Sequence, residues 1–245
     1  MKPVVLIPSR MASTRLPGKP LADILGIPMI VHVVRRAMEA DLGPVVVACA
    51  EEAIADAVRT AGGQAVLTDP DHPSGSDRLA EALAMIDPDR RFDTVLDIQG
   101  DLPTVAPATV RAAFDLLRTP KTDIGTVAAI ITDEAERTNP NVVKAVVEMP
   151  EGARTGRALY FTRATAPTGT GPLYHHIGLY AYRRTALEAF VAAPKSVLET
   201  REKLEQLRAL AMGMRIDVAL ALEVPLGVDT PEDLDKARKM LTKGE

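Results

Sequence analysis

Tryptophan is absent from the 245 residues, and phenylalanine and tyrosine number four each. The core must therefore be built mainly from aliphatic side chains. A single cysteine, Cys49, excludes an internal disulfide and any multi-cysteine zinc site, and it fits a reducing compartment. No apolar run approaches the ~20 residues that cross a bilayer. The first apolar run, residues 4–7, is too short for a signal peptide and is soon followed by Arg10. These absences predict a cytoplasmic protein with no membrane partner. A basic excess is also missing: 29 Lys and Arg face 33 Asp and Glu, a net charge of −4. That argues against nucleic acid as the partner. With 47 % hydrophobic and 25 % charged residues, the chain is a globular protein and not a disordered one.

What is present alternates. Residues 4–7, 45–49, 65–67, 94–98 and 126–131 are short β-branched runs that read as strands. They are continuously apolar, as expected of strands covered by helices on both faces. Between them lie helical patterns at 28–40, 51–61, 76–86 and 107–117, the first with Met29, Ile30, Val33, Val34, Ala37 and Met38 on one face. This order predicts an α/β fold around a largely parallel sheet. Further on, 142–148, 158–161, 177–183 and 215–224 read as strands and 201–211 as a helix. Residues 231–241 close the chain as a helix, with Thr230 as N-cap and Pro231 in the first position.

Several segments carry polar groups where such folds bind ligands, beyond the carboxyl ends of the strands. The first strand runs into IPSRMASTRLPGKPL, which gathers Arg10, Arg15 and Lys19 with two hydroxyls and a glycine. Such a set suits phosphates, through the planar fork of arginine and the point charge of lysine. It is neither a Walker A loop, because Pro20 follows Lys19, nor a G-x-G-x-x-G fingerprint. In DIQGDLP, Asp101 stands just past a strand end, where it could hold Mg²⁺ beside phosphates or stabilise the turn before the next helix. Asp229 precedes the last helix and reads as part of its cap or as a second metal carboxylate, and a spacing of 128 in sequence decides nothing. In DHPSGSDRL, Ser76 is the expected helix cap, and Arg78 falls in the first turn, a poor place for a cation unless it meets an anion. By periodicity, Glu205 and Gln206 lie on the polar face of their helix, and His32 and His72 read as structural or surface residues.

The first loop closely resembles the signature of the sugar-acid cytidylyltransferases. DHPSGSDR, DIQGDLP, NPNVVK, ALYFTRATAP, HHIGLYAYRR, LEQLR and PLGVDTPEDL follow in the order of the 3-deoxy-manno-octulosonate (Kdo) cytidylyltransferases, so the resemblance spans about residues 4–240. It implies a single cytidylyltransferase domain over residues 1–245. The implied fold is that of the nucleotide-diphospho-sugar transferases: Rossmann-like, with a mixed, mostly parallel sheet flanked by helices. It further implies a homodimer, Mg²⁺ as cofactor, CTP and Kdo as substrates, and CMP-Kdo for lipopolysaccharide as product.

Carried over residue by residue, the resemblance has Arg10 and Lys19 grip the triphosphate with help from Arg15. Pro8 and Ser9 through their backbone, with Ser74 and Arg78, surround the cytidine. Asp101 and Asp229 hold Mg²⁺. Gln99, Arg163, His176, Tyr180, Glu205 and Gln206 surround the sugar acid. Arg10, Lys19, Asp101 and Asp229 form the implied catalytic set. The chain departs from many relatives at Leu102, where they carry Glu, and in a shorter segment after Pro167. Other readings are transfer to 8-amino-Kdo or a sialic-acid-like sugar, a glycosyltransferase, and a non-catalytic CTP-binding regulator.

Overall fold

A computed structural model describes residues 1–242. The chain divides into two compact units. One comprises Met1–Arg111 and the chain from Pro225 onward, and the other Ala112–Val224. In chain order the first contains β1 (Pro3–Ser9), a small hairpin of β2 (Asp23–Ile24) and β3 (Ile27–Pro28), α1 (Met29–Glu39), β4 (Val45–Cys49), α2 (Glu52–Thr60), β5 (Gln64–Leu67), α3 (Gly75–Ile86) and β6 (Thr94–Ile98). Helix α4 (Pro107–Asp115) carries the chain onward.

The four long strands of the first unit form a parallel ladder, β5-β4-β1-β6, with Val5 opposite Val45 on one side and Leu96 on the other. Val4 to Ile7 are fully buried, and each such side chain contributes about 1.5–3 kcal/mol through removal from water. Helix α1 buries Met29, Ile30, Val33, Val34 and Ala37 as its periodicity predicts, whereas Met38 is 57 % exposed because it falls at the edge of the apolar stripe. The cap of α3 is Ser74, not Ser76. The Ser74 Oγ accepts from the Asp77 amide at 3.2 Å, and Ser76 is buried within the first turn. The chain returns to this unit and ends in the expected helix, Pro231–Thr242. Thr230 and Asp233 cap it reciprocally, each side chain accepting the other's amide at 3.2 Å. Its Leu234 and Ala237 pack with Ile24, Met29 and Val228 in a cluster of their own.

The second unit contains β7 (Ile124–Ile130), α5 (Glu134–Thr138), β8 (Lys144–Glu148), β9 (Thr155–Thr162), β10 (Tyr174–Arg183), α6 (Arg184–Ala192), α7 (Val197–Glu202), α8 (Gln206–Ala211) and β11 (Ile216–Leu220). Its strands run β10-β7-β11-β9-β8, parallel between β7 and β11 and antiparallel elsewhere. Strand β8 also pairs with β10 through Tyr174 opposite Ala145, so the ladder closes on itself. Gly125 sits where β7 passes the end of α4. A Cβ there would lie 2.3 Å from the Ala113 carbonyl oxygen. The helix expected over 201–211 is two helices, because Lys203 adopts a left-handed conformation with φ 56° and ends α7. Helix α6 was not signalled by the sequence pattern. Among the described residues no helix is long and apolar enough to cross a membrane.

Cys49 lies fully buried in β4, its Sγ 3.6 Å from the Val66 carbonyl, and burial pushes its thiol up to about 11. At pH 8 only about one molecule in a thousand then carries the reactive thiolate. The native protein should leave a thiol reagent unreacted on a timescale that labels one thiol per chain in denaturant. Equal labelling rates in the two states would contradict this placement.

Candidate active site

In the first unit a cavity of about 810 Å³ opens where β1 and β6 end and α3 begins. Pro8, Ser9, Arg10, Arg15, Lys19, Ser74, Arg78, Gln99, Asp101 and Asp229 all line it. The structure therefore brings together every nucleotide and metal candidate of the sequence. Close backbone approach makes this possible: a Cβ on Gly100 would fall 2.9 Å from the Pro8 carbonyl oxygen. Gly18, with φ 69°, turns the first loop into a short 3-10 turn at Lys19–Leu21. Glu51 anchors the loop's start, accepting the Met11 amide on both carboxylate oxygens at 3.0 and 3.1 Å.

Asp101 and Asp229 meet at one atom. Lys19 Nζ donates to Asp101 Oδ2 at 2.6 Å and to Asp229 Oδ1 at 3.0 Å, while Arg15 Nη2 pairs with Asp229 Oδ2 at 2.9 Å. The Val228 amide bonds the Asp101 carbonyl at 3.0 Å, which ties the two acidic segments together through their backbones. Burial alone would lower the Lys19 ammonium, but the charge and hydrogen bond of Asp101, joined by those of Asp229, hold it above its usual value. Two hard carboxylates converging on one cationic point fit Mg²⁺, which commonly takes one or two carboxylates and fills its other positions with phosphate and water oxygens. Among the described residues no group of three or more His, Cys, Asp or Glu could hold a metal by itself. The remaining ligands would come from substrate and solvent.

Arg78 faces the same cavity and is 2 % exposed. Its guanidinium donates to Thr68 Oγ1 at 2.5 Å and to the Pro70 carbonyl at 3.5 Å, both neutral acceptors. Burial first, then the like charge of Arg10, lowers its pKa, and Glu51 offsets part of this. An anion in the cavity would relieve that strain on the charge. His72, which the sequence left as structural or surface, also lines the cavity and holds Glu81 at 2.6 Å. Its place inside DHPSGSDR was the available signal. Gln99 turns back along β6 and donates to Asp97 at 2.8 Å.

The other sugar-acid candidates belong to the second unit. His176 and Tyr180 share β10, with ring centroids 5.5 Å apart, and Phe161 meets His176 edge-on at 4.8 Å. Arg163 donates through Nε to the Glu202 carbonyl and through Nη1 to the Pro140 carbonyl, both at 3.0 Å. The guanidinium's own hydrogen bonds thus go to carbonyls, while the Glu202 carboxylate lies close by and accepts the Arg163 backbone amide at 3.1 Å. Glu205 occupies the N-cap position of α8, and Gln206, in its first turn, is 7 % exposed. Burial of Gln206 departs from the surface position that periodicity gives it.

Comparison with known proteins gives the family. The Cytidylyltransferase family profile matches residues 4–216. A 3-deoxy-manno-octulosonate cytidylyltransferase of Rhodospirillum centenum is 67 % identical over 239 residues, 98 % of this chain and 93 % of the relative. One from Paramagnetospirillum magneticum is 63 % identical over 241 residues, 98 % of each chain. This chain belongs to the 3-deoxy-manno-octulosonate cytidylyltransferase family. A solved CMP:2-keto-3-deoxy-manno-octonic acid synthetase complexed with CTP superposes with a TM-score of 0.91 at 36 % identity over the whole of both chains. A 4-diphosphocytidyl-2C-methyl-D-erythritol synthase from Anaerococcus prevotii, 13 % identical with a TM-score of 0.66 over 98 % of each chain, shares the fold. The mixed α/β nucleotidyltransferase fold expected from the sequence is thus the fold found.

Within this family member, the hydrogen bonds of Thr126 fix the state of His176. The Thr126 hydroxyl donates to the Leu179 carbonyl at 2.8 Å, so at 3.1 Å it accepts from His176 Nε2. Nδ1 is then the acceptor nitrogen of a neutral ring. Burial, aided by His175, pushes the imidazole down to about 3. Above pH 6.5 neither the folded nor the unfolded chain protonates this ring. Between 6.5 and 3 only the unfolded chain does, so stability is lost by about 1.4 kcal/mol for each unit the pH drops in that window. Urea unfolding at pH 7 and pH 5 should show the wild type losing about 2 kcal/mol more than His176→Gln. Equal losses would remove His176 as the source.

Proposed function

We propose that this cytidylyltransferase converts CTP and Kdo into CMP-Kdo and pyrophosphate, activating the sugar acid for lipopolysaccharide synthesis. The observation that carries the reading is the cavity at the ends of β1 and β6. There Lys19 bridges Asp101 and Asp229 beside a buried Arg78. As the family resemblance implies, the enzyme works in the cytoplasm as a homodimer.

The hydroxyl oxygen on the anomeric carbon of Kdo forms a bond to the α-phosphorus of CTP. The bond from that phosphorus to the oxygen of the β-phosphate breaks in line, pyrophosphate leaves, and the hydroxyl proton passes to solvent. No covalent bond to the protein forms, so the chain's work is positioning and charge stabilisation. Lys19 has three N–H donors. Two go to Asp101 and Asp229, and the third is left for a phosphate oxygen. Arg10 and Arg15 offset charge on the departing pyrophosphate. Pro8 and Ser9, with Ser74 and Arg78, hold the cytidine. Asp101 and Asp229 would hold Mg²⁺, which when bound supplies a divalent charge beside the phosphates. In the second unit Arg163 suits the sugar carboxylate. Neutral His176, Tyr180, Glu205 and Gln206 suit its hydroxyls.

Pyrophosphate release from CTP, compared among Kdo, 8-amino-Kdo, sialic acid and no sugar, tests the reaction. Release with Kdo that a chelator abolishes is expected, and release with another sugar acid alone would move the specificity. Asp101→Asn should lower turnover by at least ~10²-fold, since a neutral ligand weakens charge stabilisation. A near-normal rate would take Asp101 out of the metal site. Lys19→Ala should cost roughly 2–4 kcal/mol of transition-state stabilisation, read from kcat/KM. A change confined to the KM for the sugar would overturn its phosphate role.

A further inference from the structure

Helix α7 has six residues, too few to be stable by itself, so its place depends on side-chain anchors. Two glutamates one turn apart supply them. Glu202 accepts the Thr162 hydroxyl at 2.9 Å and the Arg163 amide at 3.1 Å, while its carbonyl receives Arg163 Nε at 3.0 Å. Glu199 reaches across to α8. Its carboxylate accepts Arg208 Nε at 2.9 Å and Nη2 at 2.6 Å, with both residues buried. The guanidinium also donates to the Phe190 carbonyl at 3.2 Å, and its central carbon stands 4.5 Å from the Phe190 ring centroid. Glu199 closes a capping box with Ser196 as well. Burial by itself would raise the Glu199 carboxyl, yet the Arg208 and Ser196 hydrogen bonds keep it below its usual value. Between the two partners, after the left-handed turn at Lys203, come Glu205 and Gln206.

A buried ion pair is a poor source of stability, because desolvating both charges offsets most of their attraction and an apolar pair often serves as well. What a planar two-bond fork supplies is direction. We propose that the Glu199–Arg208 pair, with Glu202, is a positioning device for the sugar-acid site: the pair fixes where α8 presents Glu205 and Gln206, and Glu202 fixes Arg163. This rests on the assignment of those three residues to the sugar acid. Glu199 and Arg208 are both buried, so they act through the residues they hold.

The test is separate KM values for the two substrates in the full chain. Glu199→Gln should raise the KM for Kdo roughly 10- to 100-fold, the scale of a small misplacement, and leave the KM for CTP within about twofold. The double variant Glu199→Met/Arg208→Met should keep the wild-type melting temperature and still lose affinity for Kdo. Wild-type KM for Kdo in the double variant would overturn the proposal, since packing alone would then position α8. If Glu199→Gln fails to fold, as judged by lost CTP binding, the double variant decides. Glu205→Ala and Gln206→Ala separate this from the underlying reading. Unchanged KM for Kdo in both would remove the sugar-site assignment and the proposal with it. A raised KM there beside an unaffected double variant would remove the proposal alone.

Discussion

Lys19 places one ammonium between two carboxylates that come from distant parts of the chain, Asp101 past the end of β6 and Asp229 before the last helix. Two carboxylates this close would repel each other across a partly buried cavity without a cation between them. The ammonium, helped by Arg15, removes that repulsion, and the backbone bond from Val228 to Asp101 fixes the approach. Much of the first unit is arranged around this point. Gly100 admits the β1 backbone, Gly18 turns the loop that carries Lys19, and Thr230 with Asp233 holds the helix start behind Asp229. The same charge balance makes the cavity suited to polyphosphate, because Arg10 and Arg78 add positive charge to its lining.

The second unit solves a different problem. Under the proposed function it offers the sugar acid a set of donors and acceptors. A run of rings in successive contact, Phe161, His176, Tyr180 and Tyr182, lies on and beside β10. Thr126 fixes the tautomer of His176, so the ring is a defined donor on one side and acceptor on the other. Two carbonyls, of Glu202 and Pro140, aim the Arg163 guanidinium. Fixed hydrogen-bonding groups beside a guanidinium and a carboxylate can select a sugar acid by shape as well as by charge.

Much of the first unit was legible in the sequence. Strands 45–49 and 94–98 appear with the bounds their β-branched runs predict, and α1, α2 and the C-terminal helix lie within a residue or so of theirs. Buried parallel strands and amphipathic helices are periodic, and periodicity is a local property. The second unit was less legible. Helix α6 lacks a side-chain cap, and the 201–211 segment keeps a helical pattern although Lys203 breaks it. Arg208 looks like a surface residue by type and is buried because Glu199 and Phe190 receive it. No local pattern encodes a partner nine or eighteen residues away.

The sequence by itself determined the alternation of strands and helices, the phosphate-suited chemistry of the first loop, and through its motifs the family. These depend on residue type at short spacing. Only the tertiary structure decided that Asp101 and Asp229 face one another across Lys19, that Ser74 and not Ser76 caps α3, and that His176 is a neutral ring. The first and last of these depend on which groups are desolvated together, which is settled only when distant segments pack, and the cap depends on where the helix begins.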